Sequence, residues 1–139
     1  IPRPGLHSDA DVMVYFPRES VGAMGDLLLS ESVPAVSDVE AYLAFLEDVL
    51  DVFPEKTIFV SGHGRDLDSA GVRAYRDDLK AMVAIVQAGL ARGRTADQLV
   101  KDDVLKAYRA RYALLDFLSV DALVPRVRAA VPGGAAVPR

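Results

Sequence analysis

The sequence predicts an α/β fold, and three features of its pattern support that prediction. Two β-prone runs separated by a short polar turn come first, an amphipathic helix follows, and a short apolar strand comes after the helix. A strand, a helix and a strand in that order form a crossover unit, which is typical of layered α/β architectures. The 139 residues suffice for one domain, or a piece of one, with a modest core.

The two β-prone runs are residues 11–16 (DVMVYF) and 21–25 (VGAMG), and Pro17 ends the first. Because only a short polar turn separates them, they are predicted to form an antiparallel hairpin. Apolar residues occupy almost every position of the first run. We therefore expect that strand to be buried on both faces.

The amphipathic helix is predicted to start at a capping box made by Ser37 and Glu40, and to run to about Phe53, before Pro54. Residues 57–61 (TIFVS) then predict a short buried strand, closed by a Gly-His-Gly turn. The apolar residues of the helix recur every three or four positions and form one stripe: Val39, Leu43, Leu46 and Leu50.

The rest of the chain is predicted to be helical. A long helix begins beyond Asp68, and Gly93 is well placed to end it. Thr95 and Gln98 form a second capping box. Two further helical stretches are predicted at residues 103–118 and 121–131, and residues 132–139 are predicted to be a flexible tail.

Composition excludes several functions. The chain has no cysteine, which rules out disulfides and thiolate catalysis, and no apolar run reaches the roughly 18 residues of a membrane span. Residues 1–88 carry 15 acids and 7 bases, whereas residues 89–139 carry 5 acids and 9 bases. Acidic residues interrupt the basic half, so we expect no nucleic-acid partner. Because no apolar run is long enough to span a membrane, we expect no membrane partner either.

Three potential metal ligands stand at the edges of predicted strands. His7 precedes the hairpin, Asp26 follows its second strand, and His63 lies in the Gly-His-Gly turn. Strand ends are where α/β sheets place functional groups, and imidazole and carboxylate suit zinc, manganese or iron. A histidine beside glycine can equally be a turn residue, and Asp26 could simply cap a turn. Asp9 and Asp11 could orient His7 or serve only the turn.

The ordered set of motifs resembles the C-terminal half of the metallo-β-lactamase superfamily. The set comprises residues 7–11 (HSDAD), 14–17 (VYFP), 25–27 (GDL) and 62–64 (GHG). The resemblance implies half of a layered αββα sandwich. Residues 1–92 would form the C-terminal half of the metallo-β-lactamase-like domain, and residues 93–131 a helical C-terminal extension.

The resemblance also implies a role for each candidate ligand. His7 resembles the third histidine of the first metal site, Asp26 resembles the catalytic aspartate that bridges two metals, and His63 resembles the last histidine of the second site. Two zinc ions, with iron or manganese as alternatives, would hold a hydroxide that cleaves an ester, thioester, lactone or amide bond. The zinc β-lactamases carry cysteine or serine where Asp26 stands, so the pattern is closer to the thioesterase, lactonase and glyoxalase-type branches.

One part of the family pattern is missing. The His-x-His-x-Asp-His signature, which completes both metal sites, does not occur in this sequence. We therefore expect the chain alone to be inactive and to associate with a missing N-terminal half or with a second copy of itself. The alternative is a non-catalytic α/β interaction module whose histidines are structural.

Overall fold

The computed structural model describes residues 6–128 and confirms the α/β fold class. One four-stranded sheet has the order β1-β2-β3-β4; β2 and β3 are parallel, and each outer strand is antiparallel to its neighbour. The flexible tail predicted at residues 132–139 lies outside the described residues. The strands are β1 (Val14–Phe16), β2 (Val21–Leu29), β3 (Ile58–His63) and β4 (Leu67–Asp68).

Two long helices join or follow the strands, and short helical pieces complete the chain. The crossover helix and the long helix after β4 are both found where they were predicted, and Gly93, with a φ of +79°, follows the end of the second. No helix among residues 6–128 is both long and apolar enough to cross a membrane. The helices are α1 (Val39–Val52), α2 (Ser69–Ala91), α3 (Ala96–Lys101), α4 (Lys106–Arg109) and α5 (Val120–Leu123).

The two predicted helix caps have different outcomes. Thr95 and Gln98 form the expected reciprocal capping box of α3. The capping box predicted at Ser37 is wrong, because Asp38 caps α1 instead. The Asp38 carboxylate accepts hydrogen bonds from the backbone N–H groups of Glu40 and Ala41, at 3.1 and 3.0 Å. A carboxylate at this position also suits the positive end of the helix dipole.

The helix predicted over residues 103–118 is also wrong. Only the four residues of α4 and a 3₁₀ turn at Asp116–Leu118 are helical there. The chain between them lies against the loop after β2, where Leu114 N–H donates to the Glu31 carbonyl at 3.1 Å. Tertiary hydrogen bonds thus replace helical ones. The stretch predicted at residues 121–131 is reduced to α5 and a 3₁₀ turn at Val124–Arg126 within the described residues.

The two faces of the sheet differ sharply. Met13, Met24 and Phe59 lie on the face that packs against the helices; all three are at most 1% exposed and belong to one continuous core. We call this the covered face. The expectation that the first strand is buried on both faces is wrong, because Val14 is 47% exposed whereas Met13 is 0% exposed.

The opposite face, which we call the open face, carries apolar side chains between 37% and 56% exposed. Strand register aligns Val14 with Ala23 and Val60 in one row, and Phe16 with Val21 and Ile58 in the next. These side chains are therefore neighbours across three strands and form one continuous apolar surface. The large exposed members are Val12, Val14, Phe16, Ile58 and Val60.

Candidate functional site

The site is built on an irregularity at the end of β2. Ala23 pairs with Val60, Gly25 with Ser61, and Leu29 with His63, so β2 uses more residues than β3 over the same length. Such bulges bend a strand and redirect its side chains. Gly25 has a φ of +54°, a conformation that glycine adopts without strain. Asp26, the next residue, has a side chain that is 40% exposed.

Gly62 makes room for Asp26. A Cβ atom at position 62 would collide with an oxygen of the Asp26 carboxylate, and it would lie 2.6 Å from the carbonyl oxygen of Gly25. Any side chain at position 62 would therefore push β2 and β3 apart at this point or move the carboxylate. Steric contact with Asp26 and Gly25 thus explains why the first residue of the Gly-His-Gly turn is a glycine.

His7, Asp26 and His63 lie close together although they are far apart in sequence. The Nε2 atom of His7 lies 3.7 Å from Oδ2 of Asp26, and the Nε2 atom of His63 lies 3.7 Å from Oδ1 of the same carboxylate. These distances are too long for hydrogen bonds. Each oxygen of Asp26 therefore faces one histidine, and all three side chains are accessible from solvent, at 31% to 50% exposure.

The three side chains are not close enough to one another to form a metal-binding group as they stand. Within residues 6–128, no three histidine, cysteine, aspartate or glutamate side chains come together as a group that could hold a metal ion. Each histidine is close to Asp26, but the two histidines face different oxygens of its carboxylate. The metal-ligand roles of His7, Asp26 and His63 and the catalytic role of Asp26 remain predictions.

Asp11 fixes the position of His7. Its Oδ1 atom lies 3.2 Å from Nδ1 of His7, and its Oδ2 atom accepts the backbone N–H groups of His7 and Ser8 at 2.8 and 2.7 Å. Burial raises the pKa of Asp11, but the hydrogen bonds from Ser8 and His7 outweigh it, so the net pKa lies below its usual value. The sequence left open whether Asp9 and Asp11 orient His7 or serve only the turn; in the structure Asp11 contacts both the His7 ring and the backbone of the turn.

Two serines that were not predicted as site residues hold the ends of β2 and β3 together. Ser61 Oγ lies 2.7 Å from the Leu28 carbonyl and 2.5 Å from the His63 carbonyl. Ser30 donates its N–H to the His63 carbonyl at 3.1 Å and its hydroxyl to the Arg65 carbonyl at 2.7 Å. These bonds fix the backbone that carries His63. The sequence gives no signal for them, since their partners are backbone carbonyls brought close by the bulge.

Comparison with known proteins supports the fold. No protein-family model and no curated protein matches the sequence. Eighteen chains of solved structures are similar to it. One, a double mutant of the sec-alkyl sulfatase PisA1, superposes with a TM-score of 0.53 and 19% sequence identity, over 71% of this chain and 18% of its own length. PisA1 is a hydrolase of the metallo-β-lactamase superfamily.

At this level of identity the likeness shows the fold alone, and that fold is consistent with a metallo-β-lactamase-like α/β architecture. The chain corresponds to less than a fifth of the PisA1 chain that it matches. The activity of PisA1 is therefore a property of a much longer protein.

Proposed function

We propose that this chain is the C-terminal part of a metallo-β-lactamase-superfamily hydrolase, and that it contributes His7, Asp26 and His63 to a site for two metal ions. The observation that carries the proposal is the approach of both histidine Nε2 atoms to opposite oxygens of one carboxylate. The likeness to a sulfatase of the superfamily supports it. The bond cleaved would be an ester, thioester, lactone or amide.

The chemistry and spacing of the three side chains fit a divalent metal. Imidazole nitrogen and carboxylate oxygen are ordinary ligands of zinc, and of iron or manganese as alternatives. Two donors on one zinc ion, at bonds of about 2.0–2.2 Å, lie roughly 3.3–3.6 Å apart in tetrahedral geometry. The observed 3.7 Å separations are slightly longer, so modest side-chain rotation suffices for each His–Asp pair to share an ion.

The residues of this chain would have distinct tasks. The Asp11 carboxylate would accept a hydrogen bond from the Nδ1–H group of His7, which would leave the Nε2 lone pair directed at the site. Asp26 presents one oxygen to each histidine and so suits a bridging position. Metal ions bound there would supply Lewis acidity and lower the pKa of water towards about 7.

We further propose that the open face is covered in the functional protein by a missing N-terminal half or by a second copy of this chain. Five large apolar side chains are exposed there, on β1, on β3 and just before β1, with residues of β2 aligned between them. Soluble proteins rarely leave such a continuous surface in water. A missing N-terminal half would also bring the remaining metal ligands, whereas a second copy would not, since this sequence lacks the His-x-His-x-Asp-His signature. We expect the 139-residue chain alone to hydrolyse no ester or thioester above background.

Metal binding tests the proposal. Purified protein is stripped, titrated with zinc or Co²⁺, and its bound metal measured by mass spectrometry and calorimetry. We expect weak but measurable binding by the wild type and at least about tenfold weaker binding by Asp26→Asn and His63→Ala. Asp9→Asn is the matched control, because Asp9 lies in the same loop but has no hydrogen bond or ion pair with the site among the described residues. Equal binding by the wild type and Asp26→Asn would refute the metal site.

The alternative is a non-catalytic interaction module with structural histidines. The open face and the lack of a closed ligand cluster within residues 6–128 favour it. The same titration separates the two functions. A chain that takes up no metal after reloading, yet associates through Val14 and Val60, would be an interaction module.

A further inference from the structure

A cavity next to the candidate metal site has the size and charge to bind an acidic group. It has a volume of about 370 Å³ and lies between the end of β2, the turn after β3, the first turns of α2 and residues 111–112. Cavities of roughly 300–1,000 Å³ typically hold small organic ligands. Its polar lining consists of Ser30, Arg65, Tyr75, Asp78, Arg111 and Tyr112.

The cavity shares a wall with the site. Ser30, which lines the cavity, donates its N–H to the His63 carbonyl and its hydroxyl to the Arg65 carbonyl. A Cβ atom at Gly64 would lie 2.5 Å from the Ser30 hydroxyl, so the turn packs directly against this serine. The Gly64 turn, with the Glu31 carboxylate against it, therefore lies between the cavity and the backbone of His63.

The charge balance of the cavity favours an anion. Arg111 forms an ion pair with Asp78, and the Tyr112 hydroxyl donates to the same carboxylate at 2.7 Å. Burial and this hydrogen bond raise the pKa of Tyr112, so the phenol stays protonated. Asp78 is thus neutralised by its own partners.

Arg65 is the cation that is left over. Among residues 6–128 it has no ion pair, whereas Arg111, the other cation of the cavity lining, is paired with Asp78. The neighbouring acid Asp66 accepts a hydrogen bond from the Ser61 N–H, at 3.3 Å. A guanidinium group binds carboxylate, sulfate and phosphate through two parallel hydrogen bonds.

We propose that Arg65 binds an acidic group of the substrate, a carboxylate, sulfate or phosphate, in this cavity, while the bond to be cleaved lies beyond the Gly64 turn at His63. The inference rests on the proposed hydrolase function and narrows it to anionic substrates. Arg65 would be a specificity-determining residue that acts by holding the substrate. Its contact with the acidic group does not require metal to be present.

The test uses metal-free protein, prepared on a chelating resin, so that its outcome does not depend on the metal site. The chain is titrated with succinate, with its neutral diamide and with inorganic sulfate, and amide chemical shifts are followed by NMR. We expect saturable shifts at Ser30, Arg65 and Tyr112 with succinate or sulfate, and none with the diamide. The organic and inorganic titrations show whether the cavity prefers an organic acid or a free ion.

Arg65→Gln should weaken succinate binding about tenfold or more, and Arg65→Lys should weaken it less, because the charge remains and the paired hydrogen bonds are lost. The matched control is Arg18→Gln, an exposed arginine in the β1–β2 turn at the other end of β2, which should bind as the wild type does. Equal binding by Arg65→Gln, or shifts confined to another surface, would overturn the inference. Neither result would bear on metal binding by His7, Asp26 and His63.

Discussion

The covered and open faces of the sheet are made by the same three strands and have opposite environments. Phe59 is 0% exposed on one face, whereas its strand neighbours Ile58 and Val60 are 41% and 37% exposed on the other. Strand alternation alone decides which residue goes where. The buried apolar side chains that stabilise this chain thus lie on the helix side, and the open face is the one that we propose another layer covers.

The largest effect is expected from a pair of identical substitutions on the two faces. Phe59→Ala removes a fully buried ring and should lower the free energy of unfolding by about 3–5 kcal/mol. Phe16→Ala removes a ring that is 47% exposed and should cost about 1 kcal/mol. Urea unfolding of both variants measures the difference. Similar losses would mean that the open face is already covered in solution.

A charge on the open face should change association more than stability. Val60→Lys places an ammonium group on β3, within that surface, and we expect it to weaken association, with a second copy or with the missing half, about a hundredfold. Val52→Lys is the matched control, because Val52 is 65% exposed and is the last residue of α1 rather than part of a strand. Light scattering over a concentration series measures this. A wild-type chain that remains a well-folded 15.0 kDa monomer throughout would contradict the need for a covering layer.

A methyl group at Gly62 should affect both zinc binding and stability, whereas one at Gly89 should affect stability alone. Gly62→Ala forces the Asp26 carboxylate and the Gly25 backbone to move, so we expect a loss of about 1–3 kcal/mol in stability and weaker zinc binding. Gly89→Ala meets only the Leu99 side chain, on the helix side. It should lower stability and leave zinc binding unchanged. If both variants bound zinc equally well, the close fit around Asp26 would have no role in the site.

The smallest effect is expected on the outer surface of the helix layer. A hydrogen bond from Lys80, together with its charge, lowers the pKa of Glu47. Both side chains are nearly half exposed, so solvent and salt reduce the stabilisation by this α1–α2 pair to about 0.2–1 kcal/mol. Because the folded-state pKa is lowered, that contribution is present above the ordinary carboxyl pKa of about 4.3 and is lost as the pH falls through the folded-state value.

Urea unfolding of Glu47→Gln at pH 7 and pH 3 measures this. The variant should be slightly less stable than the wild type at pH 7 and equal to it at pH 3. Glu19→Gln, an exposed acid of the β1–β2 turn without an ion pair among residues 6–128, is the control and should differ at neither pH.

Local patterns of the sequence predicted much of the fold, and long-range contacts account for most errors. The Thr95–Gln98 box and the Gly93 stop depend on neighbouring residues, and both are correct. Ser37 and Asp38 are both good caps, and the pattern alone chose the wrong one. Burial on both faces of β1 was inferred from its apolar residues, but burial also requires a second layer, which a strand pattern does not supply.

In the candidate site, too, local patterns were predictable from the sequence and long-range contacts were not. His7, Asp26 and His63 were recognisable from their residue types and their order, and the structure brings them close to one another. The roles of Ser30, Ser61 and Gly62 depend on the shifted register of β2 and β3, which no local motif encodes. The sequence could not decide whether Asp11 orients His7 or serves only the turn, because its contact with His7 depends on the shape of that turn.

The loop after β2 is held by residues that are made much later in synthesis. Ser32 accepts the N–H of Leu115, 83 positions away, and Val33 donates to the Leu118 carbonyl at 3.0 Å. Contacts of such high sequence separation are slow to form, and on the ribosome they must wait until the C-terminal residues emerge. The loop at Ser32 and Val33, which follows the Ser30 wall of the cavity, should therefore become ordered last, after the sheet and its two long helices have folded.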